Sequence, residues 1–342
     1  MTDAAQPITS ETDMPTHPLI ESGEVRFFSG SSNRPLATAM ARHLGLRLED
    51  TLIKRFSNDN LYIQLGASVR SRVVYIVQSL TPPVNDHLME LLMMIDIARS
   101  AAAREIHAVI PYFSFARSDK KDAPRISITA RLVADLIERA GATHVMTMTL
   151  HSPQVHGFFS VPTDPLTARF LFTRYFHKRD LSDTIVVTPD AGGAKATARF
   201  AHSLNLPNAY GNKDRLSDTK VRITGLMGHP IHGYKRAIIY DDEIATGGSI
   251  VELCRILTEG GIEDIWISCT HGVFTGNAFE RLAAVPQISE IVTTDTVYIP
   301  EEKRPENLHV LSVGPIFGEA IRRNYARMSI GGLFDFGVDD KA

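Results

Sequence analysis

Arg236-Ala237-Ile238-Ile239-Tyr240-Asp241-Asp242-Glu243-Ile244-Ala245-Thr246-Gly247-Gly248-Ser249-Ile250 is the stretch from which the rest of the chain is read. An apolar run ends in two adjacent carboxylates, passes through a Thr-Gly-Gly-Ser turn and enters a helical pattern. Strand, acid pair, glycine loop and helix are the parts needed to hold a sugar phosphate. The glycines let the backbone approach a phosphate, and the first N–H groups of the helix present the positive end of its dipole. Paired carboxylates at the strand's end can accept hydrogen bonds from vicinal ribose hydroxyls. An ordinary βα turn with an acidic rim is the competing interpretation of the same residues.

Working outward, the pattern repeats. Toward the N-terminus, Val25-Arg26-Phe27-Phe28 reads as a strand leading into Ser29-Gly30-Ser31-Ser32-Asn33 and a helix with Leu36, Met40, Ala41 and Leu44 on one face. Val73–Val77 and Ile106–Ile110 are buried-type strands separated by a long apolar helix, Leu88 to Ala103. A helix from Thr129 to Ala140 stops at Gly141, and the strand His144–Met148 follows. A second series has a helix over 166–176, the strand Thr184–Val187, Asp190-Ala191-Gly192-Gly193 and another helix. The polar Lys213-Asp214-Arg215 reads as a mobile loop between strands, ahead of the opening stretch. Apolar strands alternating with amphipathic helices predict α/β domains, each a mainly parallel sheet flanked by helices.

At 342 residues the chain has room for two such domains. The expected boundaries are a flexible extension over 1–24, domains over 25–165 and 166–314, and a C-terminal helix and tail over 315–342 that pack back on the first domain. A net charge of −3 argues against a broad nucleic-acid surface. No apolar run has the length of a membrane span, and the N-terminus has neither a signal nor a transit pattern. Cys254 and Cys269 lie inside regular patterns and are expected as buried thiols, which fits a cytoplasmic protein.

In open α/β sheets ligands gather at the carboxyl ends of strands, where the remaining candidates lie. Asp190, ahead of two glycines, is either a Mg²⁺ ligand working with waters and phosphates or a helix cap. His151 follows a strand directly, where an imidazole can meet a nucleotide phosphate or its metal. Arg117 offers a forked guanidinium, and Lys213 and Arg215 add a second cationic segment. Each alone reads as solvated surface; together they make a phosphoryl-transfer set, in which positioning and charge neutralisation carry the catalysis. No Walker lysine motif, zinc spacing or nucleophile elbow is present.

From about Val25 to Phe334 the chain resembles the ribose-phosphate diphosphokinase (phosphoribosyl pyrophosphate synthetase) family. The segments that carry the resemblance include Phe27–Ser32, Arg55–Asn58, Asn85–Leu92, Val109–Phe113, Ala116-Arg117 with Asp119–Lys121, His151 with Gly157–Phe159, Pro189–Lys195, Thr270–Gly276 and Glu319–Arg323. The resemblance implies two phosphoribosyltransferase-like domains and Mg²⁺-dependent transfer of the diphosphoryl group of ATP to the C1 hydroxyl of ribose 5-phosphate. It assigns Asp241 and Asp242 to the ribose hydroxyls, and Thr246, Gly247, Gly248 and Ser249 to the 5-phosphate. It gives His151 and Asp190 to the metal and the ATP phosphates, Arg117 to ATP, Phe56 and Asn58 to adenine, and Lys213 and Arg215 to charge neutralisation in the transition state. It further implies a homo-oligomer, a hexamer or a dimer, because the adenine pocket is completed across a subunit boundary.

Several positions depart from the family pattern. An acid is usual where Ala245 stands, which makes this loop resemble archaeal-type synthetases. Glu is usual at Asn60, Gln at Ser118 and Asp at Thr149, and 329–334 lacks a serine usual in the branch regulated by phosphate and ADP. Two alternatives follow: a related diphosphotransferase with another ribosyl acceptor or nucleotide donor, or a non-catalytic paralogue that regulates a true synthetase.

Overall fold

The computed structural model describes residue 20, residues 23–215 and residues 221–334, without the side chains of residues 213–215 and 221–222. The expected extension over 1–24 therefore falls almost wholly outside the described residues. The chain divides into two compact units. One takes the residues up to Met148, Ser152–Thr167 and Gly314 onward; the other takes Thr149–His151 and Ala168–Val313.

The first unit begins with β1 (Val25–Ser29) and α1 (Arg34–Leu44). Asn33 caps α1 by accepting the Leu36 N–H at 3.2 Å, Pro35 sets its first turn, and Gly45 ends it at φ +63°. A two-stranded hairpin follows, β2 (Thr51–Arg55) against β3 (Leu61–Leu65). Then come β4 (Val73–Val77), α2 (Val84–Ser100), β5 (Glu105–Ile110), α3 (Thr129–Ala140), β6 (His144–Met148) and β7 (Thr163–Leu166). The sheet runs β1-β4-β5-β6-β7, with every neighbouring pair parallel. All five residues of β4 and of β6 are buried, as a sheet covered on both faces requires. The long helix begins four residues earlier than its periodicity predicts and stops at Ser100, where the chain turns through Ala102 at φ +59°.

The second unit contains α4 (Arg169–Phe176), β8 (Thr184–Thr188), α5 (Ala194–Ser203), β9 (Asn208–Arg215), β10 (Val221–Gly228) and β11 (Arg236–Ile244). It continues with α6 (Gly248–Glu259), β12 (Asp264–Gly272), α7 (Ala278–Ala283), β13 (Ile288–Thr294) and β14 (Leu308–Leu311). Its seven strands lie in the order β10-β9-β8-β11-β12-β13-β14, and only β10 is antiparallel to its neighbour. The chain thus builds outward from β8 in one direction through β9, and from β11 in the other through β12. The crevice between β8 and β11 is the topological switch point, where ligands of open α/β sheets bind.

One face of this sheet packs Ile185, Val187, Ile239, Ile265 and Ile267 against Ile250, Leu253, Cys254 and Leu257 of α6. Tyr240 stacks on Phe200 with ring centroids 4.3 Å apart. Trp266, the single tryptophan, lies between Phe176 and the Arg236 guanidinium, 5.7 Å and 4.1 Å from its ring. Cys254 and Cys269 are free and buried, and burial pushes both thiols up, away from the reactive thiolate.

From Gly314 the chain returns to the first unit as α8 (Gly314–Tyr325). There Gly318 lies so close to α1 that a methyl group in its place would come within 2.4 Å of the His43 ring. Among the described residues no helix is long and apolar enough to cross a membrane.

Candidate active site

β11 carries Asp241 and Asp242 to the carboxyl edge of the second sheet. Five residues after Asp242, Gly247 takes φ +75°, a left-handed turn that an L side chain resists, and α6 opens at Gly248. Thr246 and Gly248 are exposed and Ser249 half-buried, so the helix start is open to solvent. The chain after β12 braces this loop from behind. The Val273 and Phe274 N–H groups donate to the Ile244 carbonyl at 3.0 and 3.1 Å, and the Thr275 N–H donates to the Ala245 carbonyl at 2.9 Å. The Arg281 guanidinium reaches the Thr246 carbonyl at 3.2 Å. At Ala245, where an acid is usual in the family, the backbone carries the local hydrogen bond.

The two neighbouring acids are driven apart. Burial pushes Asp241 well up, and the negative charges of Asp242 and Asp190 push it further. Asp242 feels the same burial, but the hydrogen bond and charge of His151 outweigh it and bring its carboxyl down to about 2. The contact is direct: His151 Nδ1 lies 2.8 Å from Asp242 Oδ2, so the imidazole donates from Nδ1. The Asp242 N–H donates to Asp241 Oδ1 at 2.9 Å. Asp242 keeps 25% of its side-chain surface and His151 43%, so both present atoms to a ligand.

Asp190 follows β8 on the other side of the switch point and accepts the Gly192 N–H on Oδ1 at 2.9 Å. Gly193 is required here by packing, since a methyl group would come within 2.4 Å of Thr188 Oγ1. The second unit therefore brings together Asp190, Asp241, Asp242, His151 and the glycine loop. Among the described residues no three His, Cys, Asp or Glu side chains converge as a ready metal cage. The donor set fits Mg²⁺ instead, which takes one or two carboxylates and completes its shell with water and phosphate oxygens. The charge that raises Asp241 is the kind a divalent cation relieves.

The polar character of Lys213–Arg215 suggests a loop, but their backbone lies on β9, paired with β10 in the register Lys213↔Ile223 and Arg215↔Val221. Their side chains lie outside the described residues. The other nucleotide-side candidates belong to the first unit. Phe56 and Asn58 stand at the tip of the β2–β3 hairpin, with Phe56 53% exposed and 5.8 Å from the Tyr62 ring. Asn58 Oδ1 accepts the Asn60 N–H at 3.3 Å, while the Asn60 carbonyl accepts the Phe56 N–H at 2.9 Å. Asn60 is thus part of the turn that shapes the tip. Arg117 is exposed at the end of a short 3-10 turn, Ser114–Arg117. Ser118 ties that turn to the start of α3, accepting the Thr129 N–H on Oγ at 3.2 Å and the Ala130 N–H on its carbonyl at 3.1 Å. His271 and Thr275 escape residue-by-residue reading. Only the Thr270–Gly276 segment, among those that carry the resemblance, pointed toward them.

Two mainly parallel sheets, one with an acid pair and a Thr-Gly-Gly-Ser helix start at its switch point, define a protein built from phosphoribosyltransferase-like domains. The family model for the N-terminal domain of ribose phosphate pyrophosphokinase matches residues 25–141, and that for the phosphoribosyl synthetase-associated domain matches residues 219–335. The chain belongs to the ribose-phosphate pyrophosphokinase family. A Streptomyces coelicolor relative is 47% identical over 312 residues, covering 91% of this chain and 98% of its own. The ribose-phosphate pyrophosphokinase of Deinococcus radiodurans is 46% identical, covering 90% and 97%. The crystal structure of phosphoribosylpyrophosphate synthetase from Mycobacterium smegmatis superposes with a TM-score of 0.83 at 35% identity, covering 89% of this chain and 99% of that one.

Proposed function

We propose that the protein transfers the diphosphoryl group of ATP to the C1 hydroxyl of ribose 5-phosphate, giving phosphoribosyl pyrophosphate and AMP. The observation that carries this reading is the meeting of Asp190, Asp241, Asp242 and His151 with the Gly247–Gly248 helix start in one unit. The full-length match to ribose-phosphate pyrophosphokinases supports it. In the reaction the C1 hydroxyl releases its proton to solvent as its oxygen forms a bond to the β-phosphorus, the bond from that phosphorus to the α–β bridging oxygen breaks, and AMP leaves with the electron pair.

Each residue's part follows from its chemistry. The N–H groups at the start of α6, with Thr246 and Ser249, hold the 5-phosphate. Asp242, kept ionised by His151, accepts hydrogen bonds from the ribose hydroxyls alongside Asp241. Asp190 supplies the hard oxygen that Mg²⁺ prefers, and His151 presents an imidazole beside it in the proposed metal and phosphate set. The bound cation would neutralise phosphate charge. Lys213 and Arg215 would neutralise the charge that develops in transfer, while Arg117 contacts ATP and Phe56 and Asn58 the adenine. A homo-oligomer in the cytoplasm, hexamer or dimer, is part of the same proposal.

The test mixes purified protein with ribose 5-phosphate, ATP and Mg²⁺ and separates the products. AMP and the diphosphorylated sugar in equal amounts are expected. ADP as the nucleotide product would refute diphosphoryl transfer, and turnover confined to another ribosyl acceptor would refute the substrate assignment.

A further inference from the structure

Thr149 has φ +41°. A β-branched residue avoids that region, and strained backbone persists only where its surroundings hold it. Thr149 directly follows β6 and stands two residues before His151. Its Oγ1 accepts the Ala168 N–H at 3.4 Å, and its carbonyl lies 3.1 Å from His271 Nε2. His271, on β12 and 3% exposed, is paired in register with Glu243 of β11, next to the acid pair. Its Nδ1 lies 2.9 Å from Thr296 Oγ1. A ring nitrogen facing a carbonyl must carry the proton, so His271 is protonated at Nε2, while its Nδ1 faces the Thr296 hydroxyl, which donates to the Thr270 carbonyl at 3.1 Å. Thr294 Oγ1, 3.0 Å from Thr296 Oγ1, backs this arrangement.

We infer that His271 is a positioning residue for the reaction: its Nε2–H holds the carbonyl of strained Thr149 and so aims His151 at the Asp242 carboxylate. This inference rests on the proposed roles of His151 and Asp242. His271 is 3% exposed and acts through Thr149. A histidine suits the place because an imidazole spans from Thr296 to Thr149 with a ring nitrogen at each end and donates to the Thr149 carbonyl. A residue that only fills the buried space would leave the Thr149 carbonyl without its donor.

Two substitutions separate positioning from simple packing. Glutamine places its amide nitrogen about where Nε2 lies and can still donate to Thr149. The shorter asparagine reaches only the Thr296 side. His271→Asn should lower kcat roughly a hundredfold, as misplacement by about 1 Å does, with KM for ribose 5-phosphate changed less than about threefold. His271→Gln should recover most of that loss. Thr149→Gly, which removes the resistance to positive φ, should recover part of it in the His271→Asn background.

A readout independent of turnover is the ¹⁵N spectrum of the His151 ring at fixed pH. The Nδ1–H form, bonded to Asp242, should dominate in the native and His271→Gln proteins and give way to a mixture in His271→Asn. Equal losses of kcat in the two variants, or an unaltered His151 spectrum in His271→Asn, would overturn the inference. If His271→Asn does not fold, His271→Gln decides: a native His151 spectrum supports the inference and an altered one overturns it. Absence of turnover in the native protein would count against the proposed function, and the His151 spectra would still decide the role of His271.

Discussion

Replacing Gly248 by alanine should separate what the phosphate loop needs in order to fold from what it needs in order to bind. Gly248 is the first residue of α6, and a methyl group built on it meets nothing nearer than Thr246 Oγ1 at 3.9 Å. Its φ lies outside the left-handed region, so alanine fits without strain. Alanine also loses less entropy than glycine on entering a helix, a difference of about 0.5–1 kcal/mol in a helix interior and less at its first turn. The expected change in Tm is zero to about +3 °C, on a scale of roughly 2–4 °C per kcal/mol for a unit of this size. The same methyl group would occupy the space a 5-phosphate must enter to reach the exposed helix start. KM for ribose 5-phosphate should therefore rise by tenfold or more while the free protein loses no stability. Gly247→Ala is the contrast. It has room, with Leu282 Cγ at 3.6 Å, but at φ +75° alanine costs about 1–2 kcal/mol, so Tm should fall along with affinity. Steady-state kinetics and a thermal melt on both variants make the comparison. An unchanged KM in a stable Gly248→Ala protein would refute the placement of the phosphate.

The acid pair predicts an opposition between stability and activity. Asp241 is raised in the folded state, so its contribution is present at low pH and declines as pH rises from the ordinary carboxylate range through the folded value. Asp241→Asn should raise the Tm of the ligand-free protein at pH 7 while reducing turnover, and a lower Tm would show that the burial of Asp241 has been misread. His107, stacked on Tyr75 at 4.4 Å and 3.0 Å from His144 Nδ1, is lowered to about 3 by burial and then by the neighbouring His144. Because the unfolded chain binds this proton first, stability should fall as pH drops from about 6.5 toward 3, by up to about 1.4 kcal/mol per pH unit from this group alone. Urea unfolding across that range should show the slope in the native protein and a shallower one in His107→Phe. Lys213→Ala should lower kcat by orders of magnitude with little change in ribose 5-phosphate affinity. A large loss of that affinity would place Lys213 with the sugar phosphate instead.

The strands β4, β5, β6, β8 and β11 were legible because each is buried on both faces and so reads as a continuous apolar run. In the hairpin, Ile63 and Leu65 read as strand-like and lie on β3, whereas β2 was not legible, because it is partly exposed and ends in Lys54 and Arg55 rather than in an apolar run. β9 was missed at Lys213–Arg215 for a related reason. Its pairing with β10 is made by backbone groups, which do not depend on the charge of the residues that carry them. The phosphate loop was legible as a linear motif, since strand end, acids, glycines and helix start are all contiguous. His271 was not, because its partner is the carbonyl of a residue 122 positions away, and a carbonyl has no sequence signature.

The sequence by itself determined the alternation that makes two parallel sheets, the glycine turn that brings backbone to a phosphate, and the two carboxylates at the end of β11. It could not say how those carboxylates differ, since two adjacent aspartates are chemically the same. Folding delivers His151 from 91 residues away to Asp242 and leaves Asp241 facing the charges of Asp242 and Asp190. One acid is therefore held ionised and the other pushed toward its neutral form. That division depends on distances and burial, which only the tertiary structure sets.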